Sequence, residues 1–352
     1  MMLWRCELKK LLVVHKGIWI LLACMAVKAV FLCAFPELKD SRIVLSQRQY
    51  DKYLAQLHGE NTPEKSDFIL TEYETFKEII SMKVEMQERH QRGELKEDEW
   101  SEYSDALGRA ELRFNSATIF WEKANQFIEQ PTEFPPAHYI YEYGWQTVYT
   151  LLQFPDVFLL FGLLLLAAQC FSAEAAGGML PVLLAARDGR RRLYTAKLLA
   201  LLAVVLGGTA VSVGLETAIF HYRGWWNDAF APIYSISILS TCPLDLSLMD
   251  GYSLCTAVRA LTAALFASMA YGLSVWLKNT ANLVFTGICV LAIPMLWSGA
   301  EALNTHSGLL SGTRMLLWLG ESNQPLVLPL VIVAVYSVTI VILAAKRHQE
   351  GL

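Results

Sequence analysis

The stretch PDVFLLFGLLLLAAQCFSA, Pro155 to Ala173, is apolar along almost its whole length. A bilayer core about 30 Å thick needs about 20 mostly apolar helical residues to cross it, and this run comes close. Five more do the same: Gly17–Phe35, Leu198–Phe220, Ala260–Leu277, Leu283–Ala300 and Leu326–Ala345. Lys28 interrupts the first and Glu216 the third. Leu309–Gly320 is also apolar, but it is short and broken by Arg314, which suits a re-entrant or surface segment. The 352-residue chain is 54% hydrophobic and its mean hydropathy is +0.35. Soluble domains seldom average above zero, so lipid is expected to cover part of this surface. The fold class that follows is an all-α integral membrane protein with about six transmembrane helices.

A polar block separates the first two runs. Pro36 to Thr150 carries 13 Lys and Arg against 22 Asp and Glu, a net of −9, whereas the remainder carries 16 against 11, a net of +5. The expected plan is residues 1–35 as an amphipathic helix and first span, 36–150 as an extracytoplasmic helical domain, and 151–352 as five further spans with a cytoplasmic loop at 174–197. Basic residues in short loops set the orientation. With the N-terminus inside, the inner side holds Arg5, Lys9, Lys10, Lys16, Arg187, Arg190, Arg191, Arg192, Lys197, Lys278, Lys346 and Arg347. Apart from the polar block, the outer side holds only Arg223, Arg259 and Arg314. Both termini are therefore expected in the cytoplasm. Lys28, and the lack of a clean cleavage site, make the first run an uncleaved anchor. Met1–Lys16 alternates apolar and charged residues as a helix lying in the inner interface would; a simple inward extension of the first span is the alternative.

Within the polar block, Trp100, Tyr103, Leu107, Ala110, Phe114, Ala117, Trp121, Ala124 and Ile128 alternate steps of three and four. That is a heptad seam. Ile69, Tyr73, Phe76 and Ile80 repeat the rhythm. Pro63 after Thr62 marks a helix start, Gly93 a stop, and Pro131, Pro135 and Pro136 a second stop. The block reads as an antiparallel coiled hairpin, with a third helix over 42–57. The seam can join these helices to each other or to a second copy. Most of the carboxylates are the solvated face of these helices.

The loop FSAEAAGGMLPVLLAARDGRRRLYTAK, Phe171 to Lys197, is the most informative cytoplasmic segment. Glu174 closes a membrane helix at the water boundary. Gly177 and Gly178 let the backbone turn, Leu180, Val182, Leu183 and Leu184 form a short apolar face, and Gly189 breaks it again. Arg187, Arg190, Arg191 and Arg192 hold the loop at anionic headgroups. Such an element can dock into a partner. The stretch resembles the ABC-2 family of bacterial ABC exporter permeases, in which a Glu ends the second span, Gly follows, and an apolar helix, a basic Gly-Arg cluster and a Lys lead into the third span. The matching positions are Glu174, Gly177 or Gly178, Leu180–Leu184, Gly189–Arg190 and Lys197. Pro181 departs from the pattern and is tolerated only in a first helical turn. The resemblance implies that Leu180–Ala186 is the coupling helix, seated in a groove of a separate ATPase subunit. It also implies a second permease chain, identical or a sister, and a multi-pass location in a bacterial plasma membrane. No GxxxxGK[ST] occurs, so ATP is expected to be bound by the partner, with no cofactor on this chain and no nucleic acid as a partner. The acidic domain suits a cationic peptide antibiotic as cargo. A membrane sensor or scaffold with a ligand-binding helical domain is the alternative; HExxH, GxSxG and paired intramembrane Asp, the marks of an intramembrane enzyme, are missing from the sequence.

Charges within a span cost about 2.5–3.5 kcal/mol each. Lys28 and Glu216 are therefore read either as groups snorkelling to the outer boundary or as an ion pair between the first and third spans. Gly207, Gly208 and Gly214 suit close helix approach, and Trp225 and Trp226 suit the outer aromatic belt. Seven cysteines lack metal-ligand spacing, so no metal site is expected. Cys242 and Cys255 share one outer loop, which leaves a disulfide between them open.

Overall fold

The computed structural model describes residues 3–128, 135–176, 189–242, 244–277 and 279–296. They form a mainly helical chain with four helices long and apolar enough to cross a membrane: Gly17–Ala34, Tyr143–Cys170, Arg192–Tyr222 and Leu248–Ser274. A shorter apolar helix covers Thr280–Cys289. The sixth apolar run and the Leu309–Gly320 segment lie outside the described residues. The chain divides into two compact units, one of Glu37–Val148 and Trp225–Gly251, the other of the remainder.

The apolar unit opens with α1 (Leu3–Lys9), which runs into a single π turn, Lys10–Val14. Lys16 then turns left-handed (φ 56°) before α2 (Gly17–Ala34), so the N-terminal helix is a separate element and not an inward extension of the span. A Cβ on Gly17 would lie 2.5 Å from the Leu11 carbonyl oxygen, which is why this sharp corner requires glycine. The other helices of this unit are α7 (Val157–Ala176), α8 (Gly189–Tyr222), α9 (Leu248–Trp276) and α10 (Thr280–Leu296). Helix α2 packs on α7 and α8, and α1 packs on α8. The shared core includes Leu11, Met25, Leu160, Leu163, Leu164, Leu201, Val205 and Ala267.

The outward faces are as apolar as the core. On α2 only 22% of the residues are buried, and Ile18, Trp19, Leu22, Val27, Val30 and Phe31 are exposed, as are Leu206 and Val211 on α8. A helix hydrophobic on all sides suits lipid and not water. Of the three glycines expected to allow close approach, only Gly208 faces a neighbour, Leu159; Gly207 and Gly214 face open space.

In the polar unit, α3 (Ser41–Leu57), α4 (Pro63–Gln91) and α5 (Glu97–Ile128) pack together. Gly93 (φ +73°) terminates α4. Along α5 the helix uses two faces. One meets α4: Trp121 stacks on Tyr73 at 4.4 Å, and Phe114 also packs on Tyr73. The other meets α3: Phe120 stacks on Tyr50 at 5.0 Å, and Ser116 donates to Ser46. The heptad pattern registers the first face and misses the second. Its last member, Ile128, is 78% exposed. A two-residue antiparallel ladder, β1 (Gly59–Glu60) with β2 (His138–Tyr139), ties the α3–α4 link to the segment after α5. Helix α6 (Tyr143–Leu152) follows.

The loop Trp225–Gly251 belongs to this unit. Trp225 is buried, its Cα so near Gly144 that a Cβ there would lie 2.8 Å away, and Trp226 stacks on Trp145. Both tryptophans thus pack within the polar unit. The two stripes on α5 separate by mutation. Phe120→Ala should lower stability by about 3–5 kcal/mol, whereas Ile128→Ala should change it by less than about 0.5 kcal/mol, read from thermal unfolding of the purified full-length protein. Equal effects would contradict the two-face packing.

Candidate functional site

Among the described residues of the apolar unit, four charges from four helices meet at one point. Buried residues of α2 (Gly17, Met25, Lys28 and Leu32) lie on one face, and Lys28 occupies it. Asp156 immediately precedes α7 and caps it: its Oδ1 accepts the Leu159 N–H at 3.1 Å. The second oxygen of the same carboxylate, Oδ2, accepts from Lys28 Nζ at 2.6 Å. Ser212 and Glu216 stand one turn apart on α8, and Glu216 Oε1 lies 2.7 Å from Lys28 Nζ. Ser212 Oγ accepts from Lys28 and donates to Asp156. From α9, Arg259 reaches Glu216 Oε2 at 3.0 Å and Asp156 Oδ2 at 3.8 Å. The Lys28 and Glu216 side chains are only 3% and 4% exposed.

This cluster is neutral as a whole: two cations, two carboxylates and a bridging hydroxyl. An ammonium has three N–H groups, and Lys28 spends them on Asp156, Glu216 and Ser212. Sequence reading named Lys28 and Glu216, and the structure brings them together. Asp156 is the second residue of the Pro155–Ala173 run, and the sequence alone puts Arg259 in an outer loop. The structure places Arg259 inside α9, because that helix begins at Leu248, eleven residues before it. A sequence-based span stops at such a charge unless its counter-charges are known. Arg223, another of the three cations expected in outer loops, donates to the carbonyls of Cys33 and Phe35, both at 2.9 Å, at the C-terminus of α2. A cation there complements the helix dipole.

At the other end of the unit, Lys197 is buried on α8. Its Nζ donates to the Cys170 carbonyl of α7 at 2.6 Å and lies 3.3 Å from Glu7 of α1. The two apolar helices flanking the 174–197 segment are thereby closed on each other with α1 attached. Of the sequence-predicted coupling residues, Glu174 lies in α7 and Arg190 at the start of α8. Gly177, Gly178, Leu180, Leu183, Leu184 and Arg187 lie outside the described residues. Cys242 and Cys255 are each buried as thiols and are not joined in a disulfide. Cys242 lies in the Trp225–Gly251 loop of the polar unit and Cys255 in the first turns of α9. Among the described residues no three His, Cys, Asp or Glu side chains gather as a metal site requires.

Comparison with protein-family models, with curated proteins and with solved structures gives no match.

Removing one member of a buried pair leaves the other uncompensated, which costs about 3–5 kcal/mol. Lys28→Met should therefore destabilise the protein by about that amount, while Lys52→Met at an exposed position of α3 should stay within about 0.5 kcal/mol of wild type. The thermal midpoints of the two variants in detergent provide the check.

Proposed function

We propose that this chain is the membrane-spanning permease subunit of an ABC-2-type exporter, moving its substrate outward with ATP hydrolysed by a separate ATPase. The reading takes the chain as six-spanning, with both termini and the 174–197 loop in the cytoplasm and the polar unit outside. A second permease chain completes the pathway. The observation that carries the reading is the Lys197 junction. Lys197 ties α1, α7 and α8 together where the loop leaves the helices.

That arrangement supports a concrete division of labour. An ATPase groove holds the apolar face Leu180–Leu184, with Glu174 and Gly177 or Gly178 as its entry hinge and Arg187 and Arg190 at the headgroups. As the ATPase subunits close, the loop is displaced. Because Lys197 bonds across to Cys170 and Glu7, the displacement passes to α7, α8 and α1 together and does not fray one helix end. Farther along the same helices, the Lys28–Asp156–Ser212–Glu216–Arg259 cluster joins α2, α7, α8 and α9, so that they move as one body. The neutral cluster keeps four charges inside the apolar unit without an uncompensated charge to pull the helices out of lipid.

The test is a Leu183→Asp, Leu184→Asp double variant, which would bury two unpaired carboxylates in the groove. A cysteine at position 94, in a background lacking native cysteines, should be labelled from outside and one at 348 should not, in wild type and double variant alike. With insertion so established, the double variant should lose its co-purifying ATPase and the ATP hydrolysis that accompanies it in vesicles. Retention of both would overturn the coupling assignment, and reversed labelling would overturn the topology.

A further inference from the structure

Helix α3 is the first helix of the polar unit, and the chain holds both of its ends near the ends of apolar helices. Helix α2 has 18 residues, which rise about 27 Å, close to the thickness of a bilayer core. A spanning α2 therefore ends at the headgroups with Ala34, and α3 begins at Ser41. The extended chain between them reaches about 25 Å at most. At the other end of α3, His58 Nε2 lies 3.0 Å from Asp228 Oδ1. Asp228 follows closely on Tyr222, the last residue of α8. The neighbouring carbonyls of Ala229 and Ala231 accept from Met249 and Leu248, the first two residues of α9, both at 2.9 Å.

The two faces of α3 differ. Ile43, Tyr50 and Leu57 are buried, and Tyr50 stacks on Phe120 of α5. On the outward face Val44 is 67% exposed and Leu45 72%. Past a bend at Ser46, Arg48 and Lys52 are exposed as well, one and two turns farther along. Asp51, the acid between them, accepts from Gln47 at 2.8 Å. Counted from the end of α2, the outward face is thus apolar first and basic second. Single exposed apolar side chains are ordinary. An adjacent apolar pair followed by two cations, next to the end of a span, is the composition of a helix resting in a membrane interface. The aliphatic stems of Arg48 and Lys52 can follow the apolar zone while their charges stay at the phosphates.

We propose that the outward face of α3 docks on the lipid surface of the membrane, with Val44 and Leu45 at the base of the headgroups and Arg48 and Lys52 on lipid phosphates. The tether makes a weak contact sufficient. A segment anchored by a span meets the surface at high effective concentration, so this small face needs little affinity of its own. Charge decides between lipid and a second copy of the chain. An anionic surface attracts a basic pair, whereas a two-fold contact would set the pair against itself. The inference goes beyond the exporter reading and holds whichever side of the membrane the polar unit occupies.

The experiment uses the full-length protein without its native cysteines, carrying Leu45→Cys, Val44→Cys or Val84→Cys and labelled there with the environment-sensitive fluorophore NBD. Val84, 65% exposed on α4, is the control of similar size and exposure, remote in the chain from the apolar helices. Each protein is reconstituted in vesicles of phosphatidylcholine with one quarter phosphatidylglycerol, with and without lipid bearing a nitroxide near the top of its acyl chain. Labels at 44 and 45 should emit at shorter wavelength than the label at 84 and lose most of their emission to the nitroxide lipid, while the label at 84 keeps its own. Either position serves if the other variant fails to fold. Combining Arg48→Glu and Lys52→Glu should weaken the quenching at 45. Quenching at 44 and 45 no greater than at 84 would overturn the proposal, as would undiminished quenching in the doubly charge-reversed protein. Disulfide cross-linking of two copies through position 45, without quenching by the lipid, would also overturn it and mark a second copy as the occupant.

Discussion

A charge inside an apolar helix bundle must find its opposite there, and in this protein that requirement joins four helices at one point. Lys28 of α2, Asp156 at the head of α7, Glu216 of α8 and Arg259 of α9 each carry a charge that its own helix cannot neutralise. Together with Ser212 they sum to zero. Dispersion and shape hold the rest of the unit, as Leu163, Leu164 and Leu201 at the core indicate, but apolar packing alone specifies register weakly when the outer surface is apolar too. The ionic contacts permit one arrangement: Lys28 can reach both carboxylates only if α2 stands beside α7 and α8 at this depth. The same network that costs desolvation thus contributes specificity, a use of buried polar groups attested in other helical assemblies.

Lys197 repeats the device at the far end of α7 and α8. Its ammonium is buried against a backbone carbonyl and Glu7. Between these two polar junctions the helices touch through small and branched side chains, as where Gly208 meets Leu159 and Gly162 meets Leu21. A force applied at the loop therefore meets a unit fixed at both ends. Under the exporter reading, that is the mechanical property the permease needs, since movement confined to one helix would be absorbed locally.

Much of the architecture was legible in composition and period. The long apolar helices follow from runs such as Pro155–Ala173, and the α4–α5 packing from the step of three and four through Trp100 and Trp121. What the sequence concealed has a common physical origin: partners far apart in the chain. Arg259 reads as a loop residue until Glu216, 43 positions earlier, supplies its counter-charge. Trp225 packs closely on Gly144, far earlier in the chain. Phe120 lies off the heptad seam because it answers to α3 and not to α4. Lys123 reads as one of many solvated charges on α5, and only the fold buries it. Asp156 is the one concealed member with a local signal, since Pro-Asp ahead of an apolar run is a helix start, and a capping carboxylate has a second oxygen to offer.

Lys28 and Glu216 act as parts of one network and not as two polar residues that happen to lie close. A double-mutant cycle measures this directly, with stability determined for wild type, Lys28→Met, Glu216→Gln and the double variant in the same detergent. Residues in one ion-pair network couple by about 0.5–3 kcal/mol. The expected coupling lies in the upper half of that range, the double variant being less damaged than the sum of the singles because removing both charges restores neutrality. Additive losses, within about 0.3–0.5 kcal/mol, would contradict it.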